Sequence, residues 1–537
     1  MNRIVCALAL LLLPSLGGVS LAMASSPWQR LLPVDFEKTS AFGRSLDVEN
    51  GWAVIGGNGE ARVFQRDFPL PGQWGQTAIL MPEDVSREDG FGGAVAVLNQ
   101  GLAVGAPGDG SGRVYRYTRN AAGNWQLLES LTSPDDQPGQ RFGAVVASSG
   151  EWLAVGAPYS GVDGEDRAGR VYLYRCPAGQ ACELAARLND PAPEADARFG
   201  IALAVTGRWL AVGSVARDVV QFKGAVVPKS GVDAQNFAIA KGDAPFCGED
   251  VGAVFVYSLE ALRQGERHPA HALAPPDAEC LQQFGAALAL EGEVLAVGSP
   301  AKDVGDKLFS GVVYVYRFNQ GTWEEDVLLA SDKTAEDGGF GSRMALKDGR
   351  LLVGAPGETA ARFRSGAAYV FAREAGHWHT QSRLFLPEGK PHDRFGSALA
   401  MTGEEIFIGA PGRDPAGHKD HGAVYLTGAV NQAVSGQYDF KGETLILDPV
   451  KVAGQNRYYR ARLARDGTVS GFRFTVMDLR EVTSPTGKSA FYFPASGRVH
   501  IPDLEVIFSD GSRRRYTVDL GRAVPSGVLT FQLLGVR

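Results

Sequence analysis

Short apolar runs and glycine-rich breaks alternate along most of the chain. Ala94-Val95-Ala96-Val97, Arg113-Val114-Tyr115-Arg116-Tyr117 and Val312-Val313-Tyr314-Val315-Tyr316 show the spacing and the β-branched and aromatic enrichment of strands, and turn residues bound them. The pattern repeats. Phe-Gly stands at Phe42-Gly43, Phe91-Gly92, Phe142-Gly143, Phe199-Gly200, Phe284-Gly285, Phe340-Gly341 and Phe395-Gly396, at intervals of 49, 51, 57, 85, 56 and 55 residues. Each step leads into an alternating stretch and a short Gly turn, then an apolar run closing on Gly-Ala-Pro or a variant (Gly105, Gly156, Gly213, Gly298, Gly354 and Gly409 open these; Gly56-Gly57-Asn58 stands in the first). A variable loop, an aromatic run and a fourth stretch follow, the last often opened by Trp, as at Trp125, Trp323 and Trp378. Four strands per unit of roughly 50 residues, repeated in series, predict an all-β fold: a seven-bladed β-propeller over residues 25–434.

The seventh unit ends at Ala423-Val424-Tyr425-Leu426 without a Trp-led strand, whereas Trp28-Gln29-Arg30-Leu31-Leu32 precedes the first Phe-Gly and matches Trp125-Gln126-Leu127-Leu128. Residues 28–33 are therefore expected to complete the last blade, which removes an exposed sheet edge. Residues 435–537 leave the repeat but still read as strands, and predict a small β-sandwich-like domain. Within it, Leu445, Leu447, Val450 and Val452 match Val499, Ile501, Leu504 and Val506 at an offset of 54, and Tyr459, Leu463 and Phe474 match Tyr516, Leu520 and Phe531 at 57, the pattern of a duplication. Arg513-Arg514-Arg515 reads as a solvated turn or as a contact for the acidic body.

Composition sharpens this picture. The 68 glycines among 537 residues are about 13%, against a usual ~7%, and turns between many short strands account for the excess. The net charge of −7 argues against a phosphate-neutralising nucleic-acid binder. Residues 435–537 hold 15 Lys and Arg against 10 Asp and Glu, whereas 25–434 hold 37 against 50, an acidic body with a mildly basic tail.

Residues 1–24 read as an export signal: Arg3, the apolar run Ile4–Leu13, and the small-x-small site Ala22-Met23-Ala24. The run is too short to span a bilayer. A protein that is periplasmic, cell-surface or extracellular and not membrane-spanning is expected. The export signal holds Cys6; the remaining Cys176, Cys182, Cys247 and Cys280 are an even set suited to disulfides.

The Phe-Gly and Gly-Ala-Pro repeat resembles the FG-GAP repeat of the integrin α-subunit propeller, in the short-turn form typical of bacterial secreted proteins, over residues 28–430. The resemblance implies a propeller that recognises or adheres to a ligand outside the cytoplasm. Calcium-binding members carry an Asp-x-Asp-x-Asp-Gly-type run between the first two strands. Here clipped turns stand instead: Asn50-Gly51, Gln100-Gly101, Ser149-Gly150, Thr206-Gly207, Glu291-Gly292, Asp348-Gly349 and Thr402-Gly403. Such turns are expected to use positive φ at Gly. They cannot supply the six to eight oxygens calcium takes, so neither integrin-like calcium nor any other cofactor is expected.

Loops joining second to third strands share a face with those between blades, and this face collects the length variation, which favours binding there. Aspartates recur on it: Asp109, Asp163, Asp166, Asp218, Asp303, Asp306 and Asp414. Each would cap its own loop through an Asx-turn; gathered on one face, they would instead form an acidic ring for a cation or basic partner. His377-Trp378-His379 and His418-Lys419-Asp420-His421 lack an assignable third metal ligand. Cys176 and Cys182 span one hairpin, while Cys247, in the long insertion of unit four, and Cys280, in the next inter-blade loop, share a face; the expected bridges are Cys176–Cys182 and Cys247–Cys280. No Gly-x-Ser-x-Gly, His-Glu-x-x-His, Walker or dinucleotide motif is present. Three functions stay open: a non-catalytic binding or adhesion protein for a protein or glycan, a scaffold of an envelope complex, and a carbohydrate-active hydrolase or lyase using loop-face carboxylates.

Overall fold

The computed structural model describes residues 29–33, 40–68, 74–222, 225–228 and 249–428 apart from 334, 375, 404 and 416–419, and then 436–439, 443–452, 458–465, 473–482, 490–493, 498–507, 513–522 and 530–536. The expected export signal and Cys247 lie outside these residues. Trp28–Val430 form one compact unit, and Asn431–Arg537 fall in another.

In the first unit the described residues form seven four-stranded antiparallel sheets, each in up-and-down order. The first sheet joins Ser45–Glu49, Trp52–Gly56, Ala61–Arg66 and Trp74–Leu80. The last joins Ala398–Met401, Glu405–Ala410 and Ala423–Gly428, and Gln29–Leu31 supplies its outer strand, with Gln29 opposite Leu426 and Leu31 opposite Val424. First strands of successive sheets touch one another in order, and the last touches the first, so the sheets close into a ring with these strands innermost. That ring is a β-propeller. Second strands such as Gly101–Ala106 and Trp152–Ala157 are buried at every position because a sheet packs on each side of them. Burying each Val or Leu there stabilises by about 1.5–3 kcal/mol.

Glycine sets how closely the sheets approach. In each sheet the N–H of the Phe-Gly glycine donates to the carbonyl of the Gly-Ala-Pro-type glycine, as Gly92 to Gly105 at 3.1 Å and Gly143 to Gly156 at 3.0 Å. Its own carbonyl presses on the matching glycine of the preceding sheet: a Cβ on Gly56 would stand 1.9 Å from Gly92 O, and one on Gly105 2.0 Å from Gly143 O. Hydrogen bond and close approach thus alternate around the ring. The preceding phenylalanines are buried plugs, Phe42, Phe91, Phe142, Phe199, Phe284 and Phe395 at 0% exposure and Phe340 at 1%.

The sequence expectation needs correcting at four points. Positive φ occurs at Gly51, Gly150, Gly292 and Gly349 but not at Gly101, Gly207 and Gly403. In two of those three turns a threonine hydroxyl takes over, Thr206 accepting from Trp209 N and Thr402 from Glu405 N. The fourth sheet carries a short helix, Leu259–Arg263, capped by Ser258, and its insertion contains a hairpin of Val219–Phe222 with Ala225–Pro228. Arg513-Arg514-Arg515 lies within the strand Arg513–Arg522 rather than in a turn.

The fourth correction concerns the C-terminal unit, which is a single eight-stranded sheet and not a two-sheet sandwich. Parallel pairings of Gly436–Asp439 with 504–507, and of 450–452 with 490–492, join its two ends. The sheet therefore encloses one core containing Leu445, Leu447, Val499, Ile501, Phe474 and Phe531. The suspected duplication is visible in the backbone. Bulges fall at Leu447/Val450 and again at Ile501/Leu504, and at Arg462/Leu463 and again at Asp519/Leu520. Phe474 and Phe531, equivalent in the two halves, are register partners, which puts the pseudo-two-fold between them.

Candidate functional site: the loop face of the ring

The loop face is built outward from the phenylalanine plugs. Each Phe-Gly step follows an inter-sheet loop, and its Phe N–H donates back to the loop before the third strand of the preceding sheet: Phe142 to Ser111 O, Phe199 to Ala168 O, Phe284 to Val251 O and Phe340 to Ser310 O. Further out, third-strand tyrosines meet carboxylates of the loops. Tyr115 donates to Asp84 at 3.2 Å, Tyr172 to Asp135 at 2.6 Å and Tyr369 to Glu358 at 2.7 Å, and Tyr314 pairs with Asp277. Burial, with the Asp135 contact adding to it, pushes the Tyr172 hydroxyl up to about 12, so it donates throughout the ordinary pH range.

The same layer holds a set of paired arginines. Arg113 lies 2.9 Å from both Asp84 and Asp109, Arg413 is 2.7 Å from Asp393, Arg364 is 2.8 Å from Asp337, and Arg170 pairs with Asp135 and Arg383 with Glu358. Arg217 and Asp190, 3.2 Å apart, are 0% and 1% exposed, so this pair is desolvated and Glu194 at 2.5 Å completes it. Buried charges are kept only when paired in this way.

Six of the seven aspartates singled out in the sequence have local partners. Asp303 Oδ1 accepts from Phe309 N at 2.9 Å and Asp414 Oδ1 from Asp420 N at 2.8 Å, each capping its own loop. Asp218 accepts from Asp250 N at 3.2 Å. Asp109 pairs with Arg113, Asp166 with Arg167 at 3.3 Å, and Asp306 with Lys307 at 3.5 Å. Asp163 and Gly164, with φ of 52° and 92°, form a tight turn between the bridged Val162 and Glu165, and Gly305-Asp306 does the same between Val304 and Lys307. Among the described residues no group of three or more His, Cys, Asp or Glu converges as a metal cluster. His377 and His379 lie on the strand His377–Leu384, while His418 falls outside the described residues.

Cys176 and Cys182 form the expected disulfide across the hairpin between Arg170–Arg175 and Glu183–Asn189. Cys280 is also disulfide-bonded.

A second set of arginines went unnoticed in the sequence. Arg141, Arg198 and Arg394 immediately precede Phe-Gly, Arg44 follows it, and Arg343 follows one residue later. They stand where first strands begin, at the loop-face end of the central channel. Arg141 lies 4.4 Å over the Tyr159 ring and Arg198 lies 5.7 Å from it. Arg394 lines an open cleft of about 300 Å³ with Pro300, Phe309, Gly339, Pro356 and Ser397. Arg44 donates to Asn58 at 2.6 Å, and Arg343 donates to the neighbouring Ser342 carbonyl. Among the described residues none of these five makes an ion pair with a carboxylate. The Arg-Phe-Gly triplets were the available signal.

Ring closure, plugs and repeated strand order define a β-propeller assembled from one internal repeat. The chain carries FG-GAP repeats, matched at residues 74–117, 125–174, 323–371 and 378–427. A stretch of 132 residues, 22% of the chain, is 31% identical to integrin alpha-M of Mus musculus, and the chain spans 11% of that relative's length. The crystal structure of Saccharomyces cerevisiae Sqt1 aligns at 11% identity with a TM-score of 0.38, over 73% of this chain and 97% of that one. No helix among the described residues is long and apolar enough to cross a membrane.

Proposed function

We propose that the chain is an exported, non-catalytic binding or adhesion protein that presents the loop face of its propeller to a protein or glycan. The observation carrying this reading is the FG-GAP repeat itself, together with the stretch similar to an integrin α subunit. The disulfide fits an oxidising compartment. The hydrolase reading loses support because loop-face carboxylates such as Asp303, Asp414 and Asp109 cap loops or pair with arginine instead of standing free. A rigid ring with variable loops suits recognition.

A glycan array combined with a cell-binding assay tests the proposal. Saturable binding to one ligand class is expected, lost when the loops 161–166 and 303–309 are replaced by glycine-serine segments and kept when the opposite-face turn at Gly207 is changed. Turnover of a candidate polysaccharide, abolished by a single carboxylate substitution, would overturn it.

A further inference from the structure

Arg44 and Arg343 stand at the starts of the first strands of their sheets. They belong to the first and sixth sheets, which the seventh separates, yet the charge of Arg44 acts on Arg343. First strands line the central channel, so these two residues, at the starts of such strands, stand at its rim. A Cβ on Gly93 would lie 3.7 Å from Arg44 Nη2, which places that guanidinium over the inner end of the second sheet as well. Arg343 is exposed to water along its side chain. The surrounding protein, and then the like charge of Arg44, push its pKa down from the usual arginine range.

The other six sheets carry Ser45, Ala94, Val145, Ala202, Ala287 and Ala398 where the sixth has Arg343, so the packing of the repeat does not require a cation there. Two like-charged guanidinium groups beside each other, with no carboxylate partner among the described residues, disfavour one another. The outer loop layer shows that this chain supplies carboxylates where a buried arginine needs one, as Asp190 and Glu194 do for Arg217. Among the described residues no carboxylate pairs with Arg44 or Arg343, and in the cleft that Arg394 lines the one carboxylate, Asp337, is already paired with Arg364 at 2.8 Å.

We infer that the loop-face mouth of the channel is an anion site, in which Arg44 and Arg343, with Arg394 at the rim, receive a carboxylate of an acidic protein segment. Guanidinium groups match a carboxylate by paired charge-assisted hydrogen bonds. A carboxylate carried on a protruding side chain or chain end can reach a site at the centre of the ring, which favours a peptide carboxylate. Pro300, Phe309 and Pro356 give the rim apolar walls on which the flanking residues of such a segment would rest. The inference rests on the loop-face binding reading and assigns its ligand chemistry. It sets the recognising charge at the inner rim as positive, against the acidity of the body.

The test uses the full chain with fluorescein-labelled poly-L-glutamate as probe, read by anisotropy at low and moderate salt. Poly-L-lysine and polygalacturonate serve as the other arms. Poly-L-glutamate is expected to bind, more weakly as salt rises, and Arg343→Ala and the Arg44→Ala/Arg343→Ala pair are expected to weaken it by about tenfold or more. Because alanine already occupies this position in other sheets, the melting temperature of Arg343→Ala should be unchanged or higher, and Arg343→Lys should retain part of the binding. Unchanged affinity in the double variant, a preference for poly-L-lysine, or binding of polygalacturonate alone would each overturn the inference. If cell or glycan binding persists in the double variant while the loop replacements abolish it, the loop-face reading stands and the anion site fails.

Discussion

Gly409 in the last sheet lies directly against Gly43 in the first: a Cβ on Gly409 would come 2.0 Å from the Gly43 carbonyl oxygen. The contact that joins every successive pair of sheets thus also joins the two ends of the repeat. Gly409→Ala must push the sheets apart or break the Gly396–Gly409 hydrogen bond of 3.0 Å. We expect a loss of about 4 kcal/mol or more, the range of overpacking combined with a lost buried hydrogen bond. Gly207→Ala is the control, since nothing lies within 4 Å of its Cβ position and its φ is not positive; it should stay within about 0.5 kcal/mol of the parent. Urea unfolding of both variants checks the pair.

The strand Gln29–Leu31 seals the same junction on the outside. Leu31 is 4% exposed and packs with Phe42, Phe407, Val424 and Leu426. Leu31→Asp would put an unpaired charge into that cluster and free the edge of Ala423–Gly428 for pairing with other chains. The expected outcome is a broad, less cooperative melt with self-association, visible by calorimetry and size-exclusion chromatography. A sharp melt at the parent temperature would show that the ring does not depend on this strand.

Burial sets the worth of the loop-layer ion pairs. Asp190→Ala removes a 1% exposed partner of the enclosed Arg217, which keeps Glu194 at 2.5 Å, and should cost about 1–3 kcal/mol. Asp84→Ala removes a partner that is 57% exposed and leaves Arg113 its contact with Asp109, so it should cost less than about 1 kcal/mol. Chemical denaturation of the two variants side by side measures the difference.

Asp47 gives the ring a pH dependence. It accepts from Val48 N and, across to the second sheet, from Val97 N at 2.7 Å. Burial pushes its carboxyl up to about 6, with those two hydrogen bonds opposing and Glu49 adding to the rise. A carboxyl raised in the folded state favours folding most below its unfolded value, and that contribution disappears as pH climbs from about 4 through about 6. The melting temperature should carry a component that falls over this window and is absent in Asp47→Ala. An NMR titration of the Asp47 carboxyl with a midpoint near 4 would contradict the assignment.

The fold was legible because the propeller writes its geometry into steric necessities. Phe42-Gly43 and its copies are buried plugs followed by glycines at positive φ with backbone pressed against them, so the period survives in the sequence. The closing strand was legible for the same reason, through the match of Gln29-Arg30-Leu31 to a fourth strand. The helix Leu259–Arg263 was not, since five residues leave no periodicity. The closed sheet of the C-terminal unit was also hidden, because Gly436–Asp439 pairs in parallel with a strand far along the chain and alternation does not specify a partner. Arg343 was missed because in a single sequence it is one arginine among many, and only ring closure brings it opposite Arg44.

Ring closure has a kinetic meaning as well. Gln29 and Leu426 pair although nearly the whole repeat lies between them. The strand Gln29–Leu31 must therefore wait for this partner until the seventh sheet exists. Folding that depends on so distant a contact is slow, and every intermediate with an unsealed ring exposes a strand edge at Val424–Leu426. A refolding assay should find burial of the Leu31 cluster among the last events.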